Sequence, residues 1–294
     1  MTLSQILTIS LDSQDRGLWI KRICEEQAFI KEGKYYGKTV RIVTPKDLCP
    51  ESLKPVHLVT LACLVHALKK VGASGHIEGT QDLMNYLKED IHLDLYFSSS
   101  LFHVESKNKY DLNLWKIEVD HIFHYSDHLT RYLQRNFFSD RDVSGIKVIL
   151  DELFANIADH SHAKGTAFSF INYNESEKRI YAAFCDFGIG IRQSLSKSSG
   201  DVPPDAIRFA TTKGVSAKSN SHNRGFGLDI VLEGVRQSGG SIRILSDNEL
   251  FVAKDYALAP KTIYLPFRFN GTLVYFDFFI EALEEEDFFE GIEL

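Results

Sequence analysis

The chain has 294 residues, 44% of them hydrophobic and 25% charged, with 33 Lys and Arg against 40 Asp and Glu. This composition excludes wholesale disorder and fibrous repeats, and the length suggests about two domains, each able to bury its own core. The net charge of −7 is local: residues 281–294 carry seven acids and no Lys or Arg, leaving 33 acids against 33 bases in the body. That neutral body lacks the clustered positive excess of a nucleic-acid-binding face.

The opening MTLSQILTISLDSQDRG lacks the basic start and long apolar core of a signal peptide. No stretch approaches the roughly 18 uninterrupted apolar residues of a membrane span. Cys24, Cys49, Cys63 and Cys185 are scattered, with no metal-ligand or redox spacing, and three sit in apolar contexts as small core hydrophobes. A soluble, reduced, cytoplasmic protein with no membrane partner is expected.

In chain order, TVRIV (39–43) predicts a strand and 56–71 a helix. Leu58, Leu61, Ala62, Val65 and Leu68 keep helical spacing there, and Gly72 closes the run. A short helix at 81–89 and a strand at 93–97 follow. Strands alternating with helices over about 100 residues suggest a small α/β domain. The polar SKNKYDLN (106–113) holds the predicted boundary, giving a regulatory domain at 1–112, a second domain at 113–280 and an acidic tail at 281–294. Helices are predicted at 127–137 and 143–161, and a hairpin at 167–172 and 180–186 about the turn NESEK. Glycine and serine dominate 188–227; a helix at 228–237 and strands at 241–246, 261–267 and 272–279 complete the chain. Helices first and strands later, with antiparallel hairpins, predict an α/β sandwich, a mixed sheet covered by helices, rather than a Rossmann fold.

Three short motifs carry candidate chemistry. In DELFANIADHS, Glu152, Asn156, Asp159 and His160 share one polar stripe beside the apolar arc Ile146, Ile149, Leu150, Leu153 and Ile157. Such a stripe either lines a site or is a solvated helix edge. As a site, the Asn amide oxygen suits Mg²⁺ and the carboxylate one turn away can orient or deprotonate a hydroxyl. IYAAFCDFGIGI runs a buried strand into Asp186, and Gly188 and Gly190 let the backbone turn sharply. That Asp either accepts from an exocyclic amine such as adenine's or caps a turn. NRGFGLDIV (223–231) is a glycine turn opening a helix, an anion site by its N–H groups and dipole. It lacks the third glycine and preceding strand of a dinucleotide fingerprint.

The order E-x-x-x-N, D-x-G-x-G, G-x-G-L, with a 34-residue Ser/Gly/Lys-rich stretch (191–224) before the last motif, resembles the GHKL ATPase superfamily of gyrase, Hsp90, MutL and the histidine kinases. The resemblance spans roughly 120–280 and includes ATTKGVSAK (210–218), similar to a lid segment, and GTLVYF (271–276), similar to a closing Gly-Thr strand. It implies an ATP site in which Asn156 holds Mg²⁺, Asp186 binds the adenine amine and Gly188 and Gly190 line the base pocket. Asp159, His160 and Thr212 join that site on the same resemblance. Arg224, Gly225, Phe226, Gly227 and Leu228 would sit at the phosphates under the lid, and Thr272 would support the adenine end. Lys213 would reach a phosphate or remain solvated.

Glu152 and His160, each four residues from Asn156, resemble the anti-sigma-factor serine kinases of partner-switching systems, where the glutamate acts as base. Asp159 also matches an acid of the gyrase and MutL branch. The second domain that completes the ATP site in those machines is not expected here. His121, His124 and His128 share a helical face but lack a His-Glu-x-x-x-Pro context, leaving packing, metal and phosphoacceptor readings open. Residues 57–97 weakly resemble STAS domains, antagonist modules of partner switches. The Asp-Ser-Ser-Gly turn is absent, and Thr60 is the nearest hydroxyl. The expectation is thus a STAS-like module joined to a GHKL domain, binding Mg²⁺ and ATP. It would phosphorylate a protein Ser/Thr, gate a signalling partner without turnover, or hydrolyse ATP as gyrase and MutL relatives do. Homodimerisation is expected from the resemblance alone.

Overall fold

A computed structural model describes residues 6–93, 106–112, 114–118, 122–160, 167–212, 227–254 and 256–283. The first third builds two consecutive βαβ units: β1 (Ile6–Ser10), α1 (Arg16–Lys31), β2 (Thr39–Val43), α2 (Pro55–Lys70) and β3 (Ser74–Glu78). The three strands pair in parallel in the order β1-β2-β3. Asp15 starts α1 by accepting the Gly17 and Leu18 N–H groups at 2.9 and 3.0 Å, which satisfies two orphan donors of the first turn. Pro55 begins α2, where its missing N–H costs nothing. A short helix, α3 (Gln81–Asn85), continues into a π turn at Tyr86–Asp90.

The rest forms a five-stranded sheet and its covering helices. The strands are β4 (Trp115–Lys116), β5 (Ala167–Asn174), β6 (Arg179–Asp186), β7 (Ser241–Ala253) and β8 (Lys261–Phe279), in the order β4-β5-β6-β8-β7. Every pairing is antiparallel. The mixed character expected of this sheet therefore lies between the two sheets rather than within one. The mixed α/β class itself is observed.

Strand alternation divides the five-stranded sheet into two faces. Ala182, Phe184, Ile244, Val274 and Phe276 meet α4 (Ile122–Asn136), α5 (Ser144–His160) and α8 (Leu228–Gln237). Phe168, Phe170, Ala183, Cys185, Leu245 and Leu273 turn the other way and pack on α1 and α2. Those two helices thus lie between the parallel and the antiparallel sheet. This explains why α2 is buried at every position from Pro55 to Leu64: a helix apolar all round needs cover on both sides. The apolar core of the N-terminal layer is accordingly continuous with one face of the C-terminal sheet.

Several elements went unpredicted: β1, α1, β4, and the helices α6 (Gly190–Ser199) and α7 (Ala206–Ala210). The last two fall largely in the Ser/Gly/Lys-rich stretch 191–224 that precedes the last motif. Leu195, Ala206 and Ile207 are buried in the core, and the buried Glu249 carboxylate accepts from Arg192 and, at 3.1 Å, from the Ile207 N–H. Both helices are thus anchored to the core at Leu195, Ala206 and Ile207. Residues 213–226, 94–97 of the predicted strand and 284–294 of the tail lie outside the described residues. No helix among the described residues is long and apolar enough to cross a membrane.

Candidate functional site

Asp186 ends β6, where it pairs in register with Thr272 of β8, which in turn pairs with Ser246 of β7. Each lies two residues from an inward apolar side chain, Phe184, Val274 and Ile244 respectively, so all three face the α5 side. This gives a short polar row at one end of an otherwise apolar surface. Asp186 is only 1% exposed. Burial pushes its carboxyl up to about 7, although the Gly188 N–H (2.8 Å) and the Thr272 hydroxyl both donate to it and favour the ionised form.

Ser246 ties the row to the backbone, accepting from the Ile191 N–H at 2.9 Å and donating to the Gly271 carbonyl at 2.8 Å. The two glycines here are sterically required. Gly271 has φ +122°, and a Cβ on it would stand 1.9 Å from the Asp186 carbonyl oxygen; at Gly190, φ is +77° and a Cβ would meet Ser246 Oγ at 2.7 Å. The backbone of the 186–190 turn and that of β8 thus pack in direct contact.

Helix α5 covers the same face. Phe154 packs edge-on against Phe184 at 5.2 Å, which seats the 152–156 turn over the C-terminal half of β6. Glu152 and Asn156 are both half-buried. The Asn156 Nδ2 is buried without a hydrogen-bond partner. Rotating that amide by 180° exchanges nitrogen for oxygen, so this side chain has an uncommitted polar end for a ligand. The helix contains Asp159 and His160, but their side chains lie outside the described residues. Among the described residues no three His, Cys, Asp or Glu side chains cluster as a metal cage.

The phosphate-end residues are less gathered. Gly227 caps α8, but its N–H donates to Asp229 Oδ1 at 3.0 Å, so a carboxylate of the helix's own first turn already occupies that donor. Leu228 is a buried core residue. Thr212 is exposed, and its hydroxyl donates to the Arg208 carbonyl at 3.1 Å, closing α7. Lys213, Arg224, Gly225 and Phe226 lie outside the described residues.

One further expectation is corrected. Thr60 is 0% exposed, donates to the Val56 carbonyl at 2.7 Å and accepts from Trp19 Nε1 at 3.0 Å; enclosed between sheets, it is a packing hydroxyl. His124 is exposed and His128 lies against Trp115, while His121 is outside the described residues. Sequence reading missed Ser246, although a serine continuing the inward parity of Ile242 and Ile244 is a readable signal. It also missed Gln27 of α1, whose amide makes a pair of hydrogen bonds with the Asn270 backbone (2.8 and 3.0 Å), next to Gly271. A separation of 243 residues leaves no local signal for that contact.

No family model matches the chain, and no curated protein does. Sixteen chains among solved structures match it. One is the topoisomerase IV ATP-binding domain of Francisella tularensis, solved in complex with a small-molecule inhibitor. It is 19% identical with a TM-score of 0.23, covering 42% of this chain and 32% of that one. The chain thus spans about a third of that protein's length, and so loose a superposition adds nothing to the site's own geometry.

Proposed function

We propose that the chain is an ATP-binding signalling protein of the GHKL type, with the adenine amine donating to Asp186 at the polar row of the sheet. The observation that carries this reading is the buried Asp186 carboxyl beside Thr272, walled by two glycines that exclude a Cβ. A buried carboxyl suits an uncharged donor of the adenine kind better than a cation. The uncommitted Asn156 amide fits an Mg²⁺ ion that takes most of its remaining ligands from nucleotide phosphates and water. Bound there, Mg²⁺ would neutralise charge on the triphosphate. Glu152, one turn earlier on α5, then serves as the base that accepts the proton of a protein Ser/Thr hydroxyl attacking the γ-phosphorus. On this reading the N-terminal layer is the STAS-like regulatory module of a partner switch.

The first test is calorimetric. Mg²⁺-dependent ATP binding is expected, weakened at least tenfold by Asp186→Asn and by Asn156→Ala. Absence of binding in the folded wild type overturns the reading.

The Gln27–Asn270 clamp favours a second version, in which nucleotide occupancy is read by the N-terminal layer and turnover is incidental. γ-labelled ATP incubated with cell extract separates the two. Label transfer to a protein that disappears in Glu152→Gln supports the kinase. Loss of transfer in both, with nucleotide-dependent partner binding retained, supports the switch.

A further inference from the structure

A second recess of about 400 Å³ opens on the opposite face of the same sheet, between the starts of α1 and α2 and strands β6, β7 and β8. Its floor includes Tyr181 and the paired Tyr275 and Arg243, which lie in the register row of Ala183. That row is three residues from Asp186–Thr272–Ser246, hence ~10 Å along the strands and, by odd offset, on the other face. The recess is therefore separate from the candidate nucleotide pocket.

Its chemistry is that of an anion site. Arg16 and Arg243 approach the Tyr275 ring at 5.9 and 5.6 Å, and Lys54 approaches the Tyr181 ring at 5.8 Å. None of the three cations forms an ion pair with a described carboxylate. The two acids present are committed elsewhere: Asp15 caps α1, and Asp277 binds Arg179 and Ser241. The N-termini of two 16-residue helices border the recess, adding the positive ends of their dipoles.

An independent observation points to a ligand. His57 lines the recess and is 1% exposed, its ring set edge-on to Trp19. The Lys54 N–H donates to its Nδ1 at 2.9 Å, so the neutral ring carries its proton on Nε2. Burial holds the imidazole at about 4, neutral at physiological pH. The Gln14 backbone lies close enough to favour the ring's charge, yet Nε2 makes no hydrogen bond of ordinary geometry. A buried N–H donor that makes no hydrogen bond of ordinary geometry, beside three cations that have no carboxylate partner among the described residues, suits an oxyanion.

We infer that this recess binds a phosphomonoester, its oxygens taken by His57 Nε2–H, Arg16, Lys54 and Arg243 and its organic part resting on Tyr181 and Tyr275. The test uses the full chain without nucleotide, titrated with inorganic phosphate, phenyl phosphate and a phosphoserine peptide. Saturable binding is expected, weakened at least tenfold in the double variant Arg16→Ala, Arg243→Ala and unchanged in Asp186→Asn. In ¹H–¹⁵N spectra the His57 Nε2–H signal is expected to shift with inorganic phosphate, a readout that needs no variant. A peptide that outcompetes phenyl phosphate assigns a protein-borne phosphoryl group, and the reverse order a small metabolite. No saturable binding, binding untouched by the double variant, or binding lost in Asp186→Asn alone overturns the inference.

Discussion

Asp186 concentrates the site's electrostatics in one carboxyl. Unfolded, it loses its proton near the ordinary 3.8; folded, it keeps it to about 7. The folded state therefore binds this proton more tightly, and the associated stability is complete below about pH 4 and lost as pH rises through 7. At ~1.4 kcal/mol per pH unit this amounts to about 4 kcal/mol. Urea unfolding across pH 4–8 is expected to show that decline in the wild type and its absence in Asp186→Asn. An amine donating to the carboxylate favours ionisation. ATP binding is thus expected to release a proton and to tighten between pH 6 and 8, with the pH slope abolished in the same variant. A calorimetric enthalpy independent of buffer ionisation would contradict this.

At the scale of elements, the decisive contacts are those that seat α5 on the sheet. Gly234 of α8 lets the two helices close up, since a Cβ there would meet Ile149 Cδ1 at 2.8 Å. Alanine asks only the flexible tip of Ile149 to move, but Gly234→Leu overpacks the α5–α8 seam. That variant is expected to lose about 1–3 kcal/mol by chemical denaturation. It should also weaken ATP more than Gly234→Ala does, because the turn bearing Glu152 and Asn156 rides on the same helix. The helices α6 and α7 obey a similar logic. A single buried acid, Glu249, draws Arg192 and the Ile207 N–H onto β7, which turns a Ser- and Gly-rich stretch into packed structure.

Across the whole molecule, the N-terminal layer is part of the site's support rather than an appendage. The α2 helix fills the space between two sheets, and Gln27 holds the Asn270 backbone immediately before Gly271. Removing that clamp leaves two backbone groups without their partner. Gln27→Ala is expected to cost about 1–3 kcal/mol of stability and to lower ATP affinity several-fold, measured by denaturation and calorimetry. Unchanged affinity would mean that the two layers do not communicate through this contact.

How much of this was legible beforehand follows the range of the forces involved. Local periodicity and turn chemistry sufficed for β2, α2, α5, the β5–β6 hairpin and α8, because an apolar pattern and a glycine stop are properties of neighbouring residues. The Asp186 and Asn156 positions were legible for the same reason: a polar residue at the end of an apolar strand, or in an apolar helix, stands out along the chain. Strand β1 and helix α1 were not, since α1 buries Trp19, Ile23, Glu26 and Gln27 by packing between sheets rather than by a clean amphipathic stripe. Chain chemistry alone thus determined the α/β class and singled out Asp186 in the polar row. Which faces those residues share, and that Ser246 and Gln27 complete their surroundings, only the tertiary structure decided. Register and burial bring together groups up to 243 positions apart, and no local pattern encodes their meeting.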